Sequence, residues 1–137
     1  MNRSKYFTIQ ELVSPEILAV LCEEGAWRLI PNEVALGLDT LRVLHGRPLF
    51  INGKGLTNCG IRSIGSPVGA SRSGHKLYRD ETCFDLHSDH LNDLVATVRA
   101  NFRQLGISRI ESPLKTPGWL HVTFAKSNSQ TLEEFDP

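Results

Sequence analysis

Two short stretches of the sequence contain the residue types that most readily bind a metal ion. The first runs from residue 71 to residue 87 and contains His75 and Asp85, and the second runs from residue 119 to residue 124 and contains His121. A zinc site that keeps one position open for water usually has three protein ligands drawn from His, Asp, Glu and Cys. His75, Asp85 and His121 would form such a set, with the rest of the chain as its scaffold.

Length and charge limit the classes of protein to which the chain can belong. With 137 residues it is most simply one domain. Its 15 basic and 15 acidic residues cancel, so charge gives no argument for a nucleic-acid or membrane partner. No apolar run is long enough to span a bilayer, and the first residues lack a signal peptide, so we expect synthesis in a cytoplasm. The three cysteines have unrelated spacings and predict reduced thiols.

Cap residues and apolar spacing predict three helices, over residues 14–25, 32–46 and 88–106, each ending at a glycine. Short runs at 49–51, 83–87, 107–110 and 119–124 predict strands. The fold class is therefore predicted to be α+β, with a small antiparallel sheet that bears the metal site and two or three helices packed on it. We expect one domain over residues 1–126 and a polar C-terminal tail over 127–137.

Alternation in two of these strands separates polar from apolar side chains. In residues 83–87, Asp85 and His87 fall on one face and Phe84 on the other; in residues 119–124, His121 lies opposite Val122. If the apolar faces form the core, the polar faces line a cleft. Residues 52–74 are rich in Gly, Ser and Thr, and a loop of that length in a small domain is typically functional or disordered. We interpret it as functional.

The sequence also resembles a known family. Ser73-x-His75, Asp85 on a following strand and Thr116-Pro-Gly-Trp-Leu-His121 are similar to motifs of the zinc D-alanyl-D-alanine carboxypeptidase and L-alanyl-D-glutamate endopeptidase family, in the Hedgehog/DD-peptidase superfamily. The likeness is greatest to its small phage-encoded members and covers about residues 6–124. Further matching features are Tyr6-Phe-Thr, Gly46-Arg-Pro48, Ile51-Asn52, Gly60-Ile-Arg62 and Glu111.

The resemblance implies zinc as the cofactor, His75, Asp85 and His121 as its ligands, and Arg62 as a binder of a substrate carbonyl or carboxylate. Zinc lowers the pKa of a bound water toward about 7 and polarises a scissile carbonyl. A general base must then move the proton of the water to the leaving amine, and Glu111 is our first candidate and His87 our second. Arg62 would also stabilise the developing oxyanion.

Several of these residues could instead have ordinary structural roles. Asp85 could cap the helix that begins near residue 88, Glu111 could pair with a nearby basic side chain, and His87 could be a surface group. The sequence also departs from the family pattern at three places. Nine residues separate His75 from Asp85 where the family usually has six, Gly118 stands where many members have an acidic base, and position 123 is threonine where phage relatives often have aspartate.

Our leading prediction is a zinc-dependent peptidoglycan peptidase of phage type that hydrolyses an amide bond in cell-wall stem peptides. Peptide is favoured over glycan because the predicted site lacks the paired carboxylates of a glycosidase. The chain would be made in the host cytoplasm and act on the bacterial cell wall. The alternative is a catalytically degenerate member that is a structural or interaction component of a phage virion and binds other virion proteins. An unrelated binding domain is a third possibility.

Overall fold

The described part of the chain forms an α+β fold of four helices and a four-stranded sheet, which confirms the predicted fold class. The computed structural model describes residues 3–51, 61, 81–116, 118–127 and 129–136. The elements, in chain order, are α1 (Ile9–Leu12), α2 (Pro15–Trp27), α3 (Asn32–His45), β1 (Glu81–Leu86), α4 (Leu91–Leu105), β2 (Ile107–Glu111), β3 (Leu120–Ala125) and β4 (Glu133–Phe135).

Glycines end the two longest helices, as the sequence predicts. Gly46 follows α3 with φ 70° and Gly106 follows α4 with φ 76°, a left-handed conformation that glycine adopts without steric cost. The predicted end of α2 at Gly25 was wrong, because the helix continues to Trp27, whose buried ring holds the last turn against the core. None of the helices in the described ranges is long and apolar enough to cross a membrane.

The strand order in the sheet is β1-β3-β2-β4. Strand β3 pairs antiparallel with both β1 and β2, whereas β4 pairs parallel with β2. The sheet is therefore mixed, and the prediction of a purely antiparallel sheet was wrong in its fourth strand. β4 lies in the segment that was predicted to be a polar tail. Its three residues give no apolar alternation, and it is held instead by ladder pairing and by Glu134, which accepts two hydrogen bonds from Arg99 of α4 at 2.7 and 3.1 Å.

One face of the sheet is filled by the helices. Phe84, Leu86, Val122 and Phe124 are at most 3% exposed and belong to the main apolar core. At Gly37 of α3, an added Cβ would lie 2.4 Å from a backbone oxygen of α4 and 2.9 Å from the Phe124 ring, so the helix packs without room for a side chain. Because successive side chains of a strand alternate between faces, Asp85 of β1 and His121 of β3 lie on the other face.

Candidate metal site

Two of the three predicted zinc ligands are in direct contact. Asp85 of β1 and His121 of β3 are directly opposite each other in the antiparallel ladder, and His121 Nδ1 lies 2.9 Å from Asp85 Oδ1. The His121 side chain is 10% exposed and the Asp85 side chain is 34% exposed. The pair is therefore partly covered and still open to solvent on the carboxylate side.

The local sequence explains why these two side chains meet. Asp85 stands between Phe84 and Leu86, both completely buried in the core, and successive side chains of a strand point to opposite faces. Its carboxylate is therefore directed away from the helices. The same alternation in β3 directs His121 to that face, and direct pairing brings Cβ atoms of opposite residues to about 5 Å.

The charge of the carboxylate controls the protonation of the imidazole. Burial by itself lowers the pKa of His121, but hydrogen bonds to Asp85 and Cys83 and the negative charge of the Asp85 carboxylate outweigh it and raise the pKa to about 10. In the metal-free chain the imidazole is therefore protonated at neutral pH. Its Nδ1–H donates to Asp85, and the two groups form an ion pair. A metal ion that bound Nδ1 would have to displace this proton.

The donor set is chemically suitable for zinc. Zn–N and Zn–O bonds of about 2.0–2.2 Å in a tetrahedron place neighbouring donor atoms about 3.3–3.5 Å apart. Asp85 and His121 are near this separation and would need to move apart by about half an ångström. No group of three or more His, Cys, Asp or Glu side chains within the described ranges is placed to hold a metal ion. The third predicted ligand, His75, lies outside the described residues, as does Arg62.

The two candidate bases occupy different positions around this pair. Arg109 and Ile110 of β2 are opposite Thr123 and Val122, so the register continues to Glu111 beside His121 on the same face. His87 follows β1, and its backbone exchanges two hydrogen bonds with Phe50 at 2.8 and 2.9 Å. Strand pairing therefore puts Glu111 next to the predicted ligand on the neighbouring strand, whereas His87 lies two residues after Asp85, just beyond the end of β1.

Two further features lie on this face. Cys83 Sγ lies 3.3 Å from Thr123 Oγ1, and these two buried side chains form the cross-strand pair beside Asp85 and His121. Strand alternation in the sequence predicts both on the same face as the predicted ligands. The second feature is Phe135 of β4, whose ring meets the His121 ring edge-on with 6.2 Å between centroids. No local signal indicated it, because its position depends on a parallel pairing that is distant in sequence.

No protein-family model, curated protein or solved structure matches this chain. The family resemblance stays a prediction from the motifs described above.

Proposed function

We propose that the protein is a zinc-dependent peptidoglycan peptidase that hydrolyses an amide bond in cell-wall stem peptides. The observation that carries the proposal is the convergence of Asp85 and His121, which are 36 residues apart in the chain, with donor atoms 2.9 Å apart on the face of the sheet opposite the helices. A carboxylate and an imidazole are both ligands that zinc uses in catalytic sites.

In this proposal His75 completes the ligand set with Asp85 and His121. When bound, zinc supplies a Lewis acid that polarises the amide carbonyl and acidifies a water molecule. The Glu111 carboxylate accepts a proton from the attacking water and returns it to the leaving nitrogen, with His87 as the second candidate for this role. The Arg62 guanidinium donates hydrogen bonds to a carbonyl or carboxylate oxygen of the substrate and stays charged throughout.

The proposal is tested by the release of new amino groups from purified peptidoglycan incubated with the zinc-loaded protein. We expect turnover that is lost with a chelator and restored with zinc. His121→Ala should reduce the rate by at least about a hundredfold, since loss of even an indirect support of a metal ligand costs up to about that much. His90→Ala is the matched control, because His90 is exposed at the start of α4 and away from the sheet face. Equal rates for both variants would contradict the proposal.

A second candidate function is a structural or interaction component of a phage virion. It is favoured by the ion pair itself, because the Asp85–His121 hydrogen bond satisfies both charges without a metal ion. Such a paired site would hold β1 to β3 in a protein that has no catalytic activity. Stable assembly with capsid or tail proteins, together with no release of amino groups from peptidoglycan, would favour this candidate over the peptidase.

A further inference from the structure

A polar cavity lies on the same face of the sheet as the candidate metal site. Its volume is about 270 Å³, equal to about nine water molecules at roughly 30 Å³ each. Four charged side chains line it: Glu81, Arg109, Lys126 and Glu133. The remaining lining is hydroxyl groups, from Ser108 and from the segment that follows β3. Two cations and two carboxylates therefore surround a space that is large enough for a small polar ligand.

Strand pairing brings the charges together. Arg109 of β2 and Glu81 of β1 lie on the two strands that flank β3, opposite Thr123 and Ala125 respectively. Their side chains reach across β3 and join, with Arg109 Nη2 3.2 Å from a Glu81 carboxylate oxygen. The guanidinium carbon also lies 5.2 Å from the centroid of the Phe135 ring, which is a cation–π contact.

The cavity has hydrogen-bonding capacity that the protein does not use. Neither Lys126 nor Glu133 has an ion-pair partner in the described part of the chain, although both are exposed at the cavity. Arg109 and Glu81 are themselves partly exposed, so their ion pair contributes little and can rearrange around a ligand.

We propose that this cavity binds a zwitterionic amino acid group, with Arg109 and Lys126 on its carboxylate and Glu81 and Glu133 on its ammonium. A ligand with only negative charge would be repelled by the two glutamates, and a ligand with only positive charge would be repelled by the two basic side chains. Only a ligand that carries both charges matches all four side chains. Hydroxyl groups can donate or accept hydrogen bonds and suit either half of such a ligand.

The position of the cavity connects it to the substrate. Thr123, opposite Arg109, is two residues from His121 along β3, about 7 Å at roughly 3.4 Å per residue. A stem peptide with its scissile amide at Asp85 and His121 would place a neighbouring side chain at the cavity. This inference rests on the proposed function, and it names the substrate as a stem peptide whose diamino acid residue ends in a free ammonium and carboxylate, as diaminopimelate does.

Calorimetric titration of the full chain with meso-diaminopimelic acid tests the inference directly. Pimelic acid has the same carbon chain without the amino groups, and 1,5-diaminopentane is the corresponding diamine without the carboxylates. In the presence of a chelator, we expect diaminopimelic acid to bind at least about tenfold more tightly than either analogue, because each analogue leaves one pair of charges unmatched. Equal affinity for the three compounds, or no binding of diaminopimelic acid, would overturn the inference.

Single substitutions test whether diaminopimelic acid binds in this cavity. Lys126→Gln and Glu133→Gln change exposed side chains and should preserve the fold, and each should weaken diaminopimelic acid binding by about tenfold. Lys115→Gln removes the same charge as Lys126→Gln from an exposed position outside the cavity and should leave the affinity unchanged. Equal affinity in all three variants would place the binding elsewhere and overturn the inference.

The titration uses metal-free protein, so its outcome is independent of the peptidase reaction. Selective binding of diaminopimelic acid without peptidoglycan turnover would contradict the proposed function and leave the cavity as a zwitterion site. Turnover without selective binding would contradict the cavity assignment and leave the peptidase proposal standing.

Discussion

Replacing Asp85 with asparagine tests the ion pair at the centre of the candidate site. The asparagine side chain would keep an oxygen near His121 Nδ1 but would remove the negative charge that holds the imidazole protonated. The substitution is nearly isosteric, so strand β1 and the core beneath it should be unaffected. The expected loss of stability therefore includes the charge interaction between the two side chains, and its dependence on pH identifies that part.

The size of the loss follows from the exposure of the pair. Removing one member of a fully buried ion pair costs about 3–5 kcal/mol, whereas exposed pairs contribute about 0–1 kcal/mol. With His121 10% exposed and Asp85 34% exposed, we expect about 2 kcal/mol near pH 6. For a chain of 137 residues the unfolding entropy is about 0.29 kcal/mol/K, so the melting temperature should fall by about 7 °C.

The loss should depend on pH in a defined direction. Because folding raises the pKa of His121 from 6.5 to about 10, its contribution is fully present below pH 6.5 and disappears as the pH rises toward 10. Urea unfolding with a chelator present, measured at several pH values from 6 upward, should therefore show the largest difference between the natural chain and Asp85→Asn near pH 6. The difference should shrink steadily as the pH increases.

Glu81→Gln is the control for this measurement. Glu81 is on the same strand and pairs with Arg109 at 3.2 Å, but both side chains are more accessible than His121. We expect it to cost at most about 1 kcal/mol. If Asp85→Asn costs no more than Glu81→Gln, or if its cost does not change with pH, the ion pair does not hold His121 as we describe.

Three further perturbations follow from the structure. Gly37→Ala should lower the free energy of unfolding in urea by about 1–3 kcal/mol, because its Cβ would lie 2.4 Å from a backbone oxygen. Gly118→Ala is the control, since it has open space around it and should change stability by less than about 0.5 kcal/mol. Equal costs for the two variants would be inconsistent with the packing of α3. Burial and the nearby Arg47 lower the pKa of His45 below 6.5, so the free energy of unfolding should fall as the pH drops through 6.5. The fall should be smaller in His45→Gln, and identical pH profiles for the two proteins would refute this prediction. Zinc binding near neutral pH should release about one proton from His121. The enthalpy of zinc binding measured by calorimetry should therefore vary with the ionisation enthalpy of the buffer. An enthalpy that is the same in all buffers would contradict the raised pKa of His121.

Local sequence signals predicted the part of the site that depends on alternation. Asp85 and His121 each stand between buried apolar residues, so the strand period alone directs both to the face opposite the core. Helix ends at Gly46 and Gly106 were predictable for a similar reason, because a left-handed backbone favours glycine. These features are determined by a few neighbouring residues.

Features that depend on distant pairing could not be predicted in this way. The parallel pairing of β4 with β2 places Phe135 against His121, yet the residues around Phe135 are polar and carry no strand period. The crossing of Arg109 to Glu81 likewise requires the order of three strands, which no single segment specifies. His75 and Arg62 lie outside the described residues, and their roles stay predictions from the motifs.

Metal analysis of the purified protein shows whether His75, Asp85 and His121 hold a zinc ion. Mass spectrometry of the metal content should find about one equivalent of zinc in the natural chain, as expected for a single catalytic site with three protein ligands. His75→Ala and His121→Ala should each lose the zinc, and His90→Ala should keep it. A natural chain that binds no zinc when supplied with it, or a His121→Ala variant that keeps its zinc, would contradict the account.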